Sequence, residues 1–370
     1  MIYLDNAATT PLSAAAIKAM TEALTVFGNP SSIHGHGREA SKLLRQARAE
    51  IAQILHTESR HILFTSGGTE SNNTAIKGYA LRHQDRGKHI ITTAIEHHAV
   101  LETVEYLVEK FGFEATVIQP VDGQIRAIDI QQALRPDTIL VSVMAVNNET
   151  GDLLPIKEIG QLLKDHPAAF HVDAVQAIGK VPLYPKELGI DFLSASAHKF
   201  HGPKGVGFLY ADRMDFDRFL HGGDQEEKHR AGTENLLSIL GMTAALSESA
   251  EHLEENLAHA QLLKDRLLTD LAGLDFYVNE SPSSLPYVIN LGFPQQKNDL
   301  LLLQLDLKGF SVSTGSACTA GTVQPSHVLQ ALYGDDSERL GESIRISTSD
   351  QNTIEEIDYF SKTLKEILGG

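Results

Sequence analysis

Phe192-Leu-Ser-Ala-Ser196-Ala-His198-Lys199-Phe-His-Gly202-Pro-Lys-Gly205 follows an apolar run and sets one lysine among small residues, histidines and glycines. Surface lysines keep charged, helix-forming company, whereas Ser-Ala-His-Lys followed by Gly-Pro-Lys-Gly closes tightly around something that needs backbone contact. A confined ammonium gives up its proton more readily, and the free amine forms a Schiff base with an aldehyde cofactor such as pyridoxal phosphate. By themselves the same residues also fit a basic turn after a buried strand, with Lys199 solvated.

Two distant stretches weigh towards the cofactor. Ala169-Phe-His-Val-Asp173-Ala-Val-Gln176 reads as a buried strand ending in an acid. A pyridine ring acts as an electron sink while its nitrogen stays protonated, which requires a facing carboxylate. Asp173 precedes Lys199 by a strand-to-strand interval, and Gln176 is placed to donate to the ring hydroxyl. Asp173 as a helix N-cap is the alternative. Ile62-Leu-Phe-Thr65-Ser-Gly-Gly68-Thr69-Glu70-Ser71-Asn72 runs from an apolar strand through two glycines into a helix start. Backbone N–H groups there, with the hydroxyls of Thr69 and Ser71, make a phosphate cup. Each stretch is weak alone; the three in this order are specific.

With Tyr3-Leu-Asp5-Asn6-Ala-Ala-Thr-Thr-Pro11, Val146-Asn-Asn148-Glu-Thr-Gly151 and Arg230-Ala-Gly-Thr233-Glu-Asn235, the chain resembles the fold-type I pyridoxal phosphate enzymes from end to end. Within them it resembles the class V aminotransferase group. The resemblance implies an α/β fold of the aspartate aminotransferase-like kind. A large domain with a mostly parallel sheet is expected over residues 12–252, and a smaller α+β domain over 1–11 with 253–370. It also implies cofactor contacts from Gly68, Thr69, His97, Asn148, Asp173, Gln176, Ser196, His198 and Lys199, with Thr233 reaching the phosphate of the other subunit of a homodimer. His97, in Glu96-His97-His98, would stack on the ring and move protons; read alone, it is a loop histidine. Asn148 would contact the ring hydroxyl and the substrate carboxylate; read alone, it belongs to an Asn-rich turn.

The whole chain sets bounds. Its 370 residues exceed one small core and suggest two domains or one large one. A net charge of -17 argues against an autonomous nucleic-acid binder. Charges interrupt every apolar stretch and no basic-then-apolar leader is visible, so the expectation is a cytoplasmic protein without a membrane span. Seventeen histidines raise the question of a metal. No pair shows a metalloenzyme helix spacing with an acid between, so no metal site is expected.

Apolar periodicity predicts helices over Pro11 to Phe27 and Arg38 to Leu55. Strands and helices then alternate: strand 62–65, helix from Glu70, strand 89–92, helix 99–110, strands 115–118 and 139–143, helix 156–165 and strand 169–172. That alternation means a mostly parallel sheet, with the site beyond the carboxyl ends of its strands. One long helical region over 235–271 should follow. The second domain should then carry a strand over 287–291 and helices near 298–307 and from 353.

The single cysteine excludes an intramolecular disulfide. Phe310-Ser-Val-Ser-Thr314-Gly-Ser316-Ala-Cys318-Thr-Ala-Gly321 gives it no large apolar neighbours, unlike a buried structural cysteine. The stretch reads as an exposed loop carrying a thiolate nucleophile, and it looks like the sulfur loop of cysteine desulfurases. Ser343-Ile-Arg345-Ile-Ser347 alternates like a half-buried strand. The family uses the arginine at this position to hold the substrate carboxylate; a structural ion pair is the alternative. Before Arg230 the chain reads Gly222-Gly-Asp-Gln225-Glu-Glu-Lys-His229. This departs from the family pattern and is expected to lie outside the core contacts and to bear on partner choice.

The resemblance implies a cysteine desulfurase that converts L-cysteine to L-alanine. Sulfur would be held as a persulfide on Cys318 and passed to an iron-sulfur scaffold or a tRNA-thiolating enzyme. Catalysis would rest on Cys318, Lys199 and His97, with Arg345 and Asn148 on the substrate. A selenocysteine lyase, another class V aminotransferase and a cofactor-free sulfur-relay scaffold are the alternatives.

Overall fold

The computed structural model describes residues 1–315 and 325–369, so Cys318 lies outside the described residues. Its strands, in chain order, are β1 (Ile2–Tyr3), β2 (Ile62–Thr65), β3 (His89–Thr93), β4 (Glu114–Ile118), β5 (Thr138–Met144), β6 (Ala169–Asp173), β7 (Phe192–Ser196) and β8 (Gly207–Ala211). β9 (Tyr277–Val278), β10 (Val288–Gly292), β11 (Phe310–Ser311) and β12 (Ser343–Ser347) follow.

The central sheet runs β2-β8-β7-β6-β5-β3-β4. It is parallel except at β8, which runs antiparallel to both β7 and β2. Every residue of β2, β3, β5, β6, β7 and β8 is buried, as expected for strands covered by helices on both faces. β4 ends the sheet, and Glu114 opens it with an exposed charge, a usual way to blunt a free edge. Two histidines bind neighbouring strands at right angles to the chain. His171 reaches Ser142 Oγ on β5 at 2.8 Å and Ser194 Oγ on β7 at 3.1 Å. His89 on β3 likewise joins Thr138 Oγ1 of β5 at 2.7 Å to Thr116 Oγ1 of β4 at 2.8 Å. Burial pushes His171 down to about 3, so its ring is neutral and can accept one hydrogen bond while donating the other.

The helices α1 (Ala14–Ala23), α2 (Gly35–Ile54), α3 (Gly68–Arg82), α4 (His98–Phe111), α5 (Ala127–Ala133) and α6 (Ile156–Leu163) belong to the first two-thirds of the chain. Ser13 Oγ caps α1 through Ala16 N, and Gly112 in the left-handed region ends α4. The helical region expected over 235–271 is two helices, α7 (Leu236–Glu251) and α8 (Leu253–Asp270), broken at His252. The break redirects the chain. α7 packs on α1 and α2, whereas α8 packs on α12 (Ile354–Leu368), introduced after α9 (Asn298–Leu307), α10 (His327–Tyr333) and α11 (Arg339–Glu342).

A separate hydrophobic cluster gathers Leu263, Leu267, Ile289, Leu291, Leu305, Phe310, Ile344, Ile346, Phe360 and Leu4. β1 pairs in parallel with β11, and Asp5 bridges to Ser347, so the first residues lie against the last third of the chain. β12 is wholly buried rather than half-buried. Its apolar face enters this cluster, while the N-terminal segment covers Arg345 and Ser347, which alternate onto the other face.

Candidate active site

Parallel strands bring their carboxyl ends to one edge of the sheet, and the residues that follow β2, β3, β5, β6 and β7 meet there in a cleft of about 300 Å³. Gly68, Thr69, His97, Asn148, Asp173, Gln176, Ser196, His198, Lys199 and Arg345 all line it. Thr233 does not; it is exposed, after the turn that follows β8.

The turn after β2 is built for a bound anion. Gly67 precedes α3 with φ +146°, a value that favours glycine, and no side chain caps the helix. A Cβ on Gly68 would sit 2.5 Å from Val175 Cγ2, so only glycine lets the helix start approach the turn after β6. Thr69 is open to the cleft. Ser71 is not part of the cup: it is fully buried, bonded to Thr65 Oγ1 at 2.8 Å and donating to Phe208 O at 3.1 Å. One residue separates Thr69 from Ser71, and on a helix that places them on different faces. Asn72, three residues after Thr69, does face the cleft.

Asp173 closes β6. Asn72 Nδ2 donates to its Oδ2 at 2.7 Å and Val175 N to its Oδ1 at 3.0 Å. Residues 175–180 form turns, so Asp173 caps no helix. Gln176 Nε2 donates to Ala7 O at 2.9 Å, and its Oε1 accepts from Lys180 Nζ at 3.2 Å. Lys199 Nζ donates to the carbonyls of Ala7 and Ala8 at 2.7 and 2.8 Å. Lys199 is therefore not a solvated basic turn residue; it projects into the cleft against the N-terminal segment. His198 meets Thr9 Oγ1 at 3.1 Å, and burial, reinforced by Lys199, pushes its imidazole down to about 4.

His97 opens α4, its Nδ1 accepting from Ala99 N at 3.0 Å. Its imidazole is pushed below the ordinary histidine range by the dense protein around the cleft, against the pull of Asp173. Behind it, Glu96 is fully buried. It accepts from Thr93 Oγ1 at 2.7 Å and from Met144 N at 2.9 Å, and burial raises it to about 8. The Asn-rich turn divides its labour. Asn147 makes the turn by accepting from Glu149 N and Thr150 N, which leaves Asn148 on the cleft wall. Arg345 is 2 % exposed and pairs with Asp5, while its Nη1 donates to Asn148 O at 2.9 Å and its Nε has no partner among the described residues. The ion pair weighed as the alternative thus exists, within the same cleft.

The departure at Gly222 to His229 is a correction. Glu226 is buried, takes both guanidinium nitrogens of Arg48 at 2.7 and 2.8 Å, and accepts from Phe64 N at 2.9 Å. Arg230 reaches Glu70, whose Oε2 accepts from Ser66 N at 2.8 Å in the turn after β2. The segment is tied to the cup because Arg48 and Arg230 need acid partners from elements distant in sequence. Sequence reasoning also passed over Asp5, Asn72, Glu149 and His327. Only Asn72 carried a signal, its spacing from Gly68 and Thr69 along α3.

The cleft offers what pyridoxal phosphate requires: a lysine, a facing carboxylate fixed by hydrogen bonds, an uncapped helix start shaped by glycines, and buried polar atoms at Asn72 Oδ1 and Arg345 Nε that have no partner among the described residues. The family model described as aminotransferase class-V matches residues 2–360. A relative from Bacillus subtilis (strain 168) is 48% identical over 373 residues, 99% of this chain and 98% of its own. Cysteine desulfurase IscS of Dictyoglomus turgidum is 45% identical, covering 99% of this chain and 94% of that protein. A solved structure of a NifS-like protein superposes with a TM-score of 0.93 at 37% identity, over 100% of this chain and 99% of that one. This chain therefore belongs to the class-V aminotransferase family of pyridoxal phosphate enzymes.

Proposed function

We propose that the protein is a cysteine desulfurase converting L-cysteine to L-alanine, with Cys318 taking the sulfur as a persulfide. The observation that carries this reading is the convergence of Lys199, Asp173, His97, Asn148 and Arg345 on one cleft whose substrate end is an arginine. When bound, pyridoxal phosphate supplies an electron sink for the carbon skeleton of the amino acid. Gly68, Thr69, Ser196 and His198 hold its phosphate, with Thr233 of a second copy completing the cup in a homodimer. Asp173, steadied by Asn72 and Val175, would face the pyridine nitrogen and keep it protonated, and Gln176 and Asn148 would bind the ring hydroxyl. Lys199 Nζ would be the amine that holds the cofactor's aldehyde end, and it is the base placed to move the α-proton of the substrate. His97, kept neutral near pH 7, takes and returns a second proton. Arg345 and Asn148 bind the carboxylate.

In this reading residues 12–252 form a cofactor domain, and 1–11 with 253–370 a smaller one. The enzyme works in the cytoplasm and passes sulfur to an acceptor protein, an iron-sulfur scaffold or a tRNA-thiolating enzyme. Among the described residues no helix is long and apolar enough to cross a membrane.

Cys318→Ser tests the reading. The purified variant should remain yellow and bind cysteine, while alanine formation falls by orders of magnitude, because a hydroxyl is a poor nucleophile towards sulfur and stores no persulfide. Alanine at wild-type rates would instead point to a lyase that releases zero-valent sulfur or selenium without passing it through Cys318. A colourless wild-type protein would point to a relay scaffold.

A further inference from the structure

Gln176 and Lys199 donate to the same atom. Gln176 Nε2 reaches Ala7 O at 2.9 Å and Lys199 Nζ reaches it at 2.7 Å, so the two side chains meet at one carbonyl of the N-terminal segment. In pyridoxal phosphate the aldehyde and the hydroxyl stand on adjacent ring carbons, and two cleft residues that share an acceptor fit that pair of substituents.

The amide of Gln176 is held at both ends, because Lys180 Nζ donates to its Oε1 at 3.2 Å. An ammonium only donates and a backbone carbonyl only accepts, so the two neighbours decide which end of the amide carries the oxygen. Nε2 keeps a second N–H, and that is the donor Gln176 has for an oxygen in the cleft. Such a donor suits the ring hydroxyl in its ionised form.

Lys180 sits where packing alone would not put a cation. It lies behind Gln176, on the wall of a separate cavity of about 20 Å³ that Lys199, His201, Tyr287 and Asp350 also line. Its Nζ stands 5.7 Å from the centre of the Tyr287 ring. Among the described residues no carboxylate pairs with it: Asp350 meets His201 at 2.8 Å, and Asp173 is held by Asn72 and Val175. Burial pushes the ammonium down to about 7, and the positive charges of Lys199 and Arg345 push the same way. A cation set beside two others without an acid costs stability, so a role outside packing accounts for its place.

We propose that Lys180 is a positioning residue for the cofactor: its ammonium fixes the amide of Gln176 and strengthens the N–H that Gln176 offers to the ring hydroxyl. The proposal rests on the reading that the cleft holds pyridoxal phosphate with Gln176 at that hydroxyl. Lys180 touches neither cofactor nor substrate and acts through Gln176 alone. An amide whose oxygen faces a cation is polarised, and its N–H binds an anionic oxygen more strongly.

The test reads the visible absorbance of the holoenzyme against pH, together with its affinity for pyridoxal phosphate. The other charged groups near the site, Lys199, Arg345, Asp173, His201 and Asp350, are the same in every variant. A donor to the ionised hydroxyl eases loss of the proton that the hydroxyl shares with Lys199 Nζ, so weakening the donor moves the titration upward. Lys180→Met should titrate about one pH unit higher than wild type and bind the cofactor about tenfold more weakly. Gln176→Leu should move both at least as far, and the double variant no further than Gln176→Leu, because both changes act on one contact. Lys180→Arg keeps the charge and the donors and should restore the wild-type titration.

The proposal is overturned if Lys180→Met titrates and binds cofactor as wild type does, if Lys180→Arg behaves like Lys180→Met, or if the two single shifts add in the double variant. Lys180→Leu, which also lacks a donor, decides the question if Lys180→Met does not fold. A wild-type titration in Gln176→Leu would overturn the role of Gln176 and the proposal with it. A wild-type protein that stayed colourless with pyridoxal phosphate would instead remove the cofactor reading on which the proposal stands.

Discussion

Arg345 Nη2 donates to Asp5 Oδ1 at 2.8 Å, an ion pair between residues 340 positions apart in the chain. The guanidinium is nearly inaccessible, and its Nε has no partner among the described residues. A planar fork of this kind, already fixed by an acid and a carbonyl, receives a carboxylate without first losing rotamer freedom.

Arg345→Lys keeps the charge and loses the fork. The KM for cysteine should rise about tenfold or more, with the cofactor still bound and yellow. Asp5→Ala leaves the buried guanidinium without its acid and should lower stability by about 3 kcal/mol in denaturant titrations. An unchanged KM in Arg345→Lys would show that the ion pair, and not a substrate, is the reason for the arginine.

Lys199→Ala should abolish both turnover and the yellow colour, since no other lysine lines the cleft among the described residues. A variant that stayed yellow, with cofactor fixed to a lysine by borohydride, would overturn the assignment of Lys199.

Glu96 gives a pH signature. Its folded carboxyl titrates near 8, well above the ordinary value of 4.5, so between those values the native state holds a proton that the unfolded chain has released. Its contribution is therefore full below about pH 4.5 and is lost as pH rises towards 8. Glu96→Gln keeps the acceptor for Thr93 and Met144 and has no proton to lose. It should be more stable than wild type by about 3 kcal/mol at pH 7 and no more stable at pH 4.5. Equal gains at both pH values would refute the assignment of a protonated Glu96.

Three successive residues without glycine's freedom, Glu226, Glu227 and Lys228, have φ of +48°, +55° and +70°. The buried bond of Glu226 to Arg48 holds this turn in place. Lys228→Gly should relieve strain and add about 1 kcal/mol. Glu226→Ala should cost about 3 kcal/mol by leaving Arg48 and Phe64 N without their acceptor. Thermal melts of the two variants that moved in the same direction would contradict this account.

The strands and the cleft were legible because their signals are local. Short apolar runs between turn residues marked β2, β3, β5 and β6 to within a residue or two, and the chemistry-bearing residues follow those runs directly. β8 was passed over, although Phe208-Leu-Tyr210 is apolar, because the glycines around Lys199 read as a loop with no return strand. The break at His252 left no mark because neither glycine nor proline makes it; the turn follows from packing on two different partners. Glu226 was misread for a related reason. An exposed-looking acidic turn is indistinguishable from a buried one until Arg48 is folded against it. Arg345 was found from its isoleucine neighbours, yet its partner Asp5 could not be, since nothing in either stretch names the other.

Residues 2–10 bond to residues far along the chain at most of their positions. β1 pairs with β11, Asp5 holds Arg345, Ala7 and Ala8 receive Lys199, and Thr10 N donates to His198 O. This segment is made well before its partners, since residues 310 to 347 follow it in the chain by about 300 positions or more. The central sheet takes no strand from it, whereas the cleft is not complete until Arg345 has joined Asp5. Pairings of such long sequence separation are slow to close. In the interval before the segment docks, Lys199 lacks the carbonyls of Ala7 and Ala8 that its Nζ meets in the finished fold. A cofactor arriving in that interval would meet a site open on the side that Ala7 and Ala8 later seal.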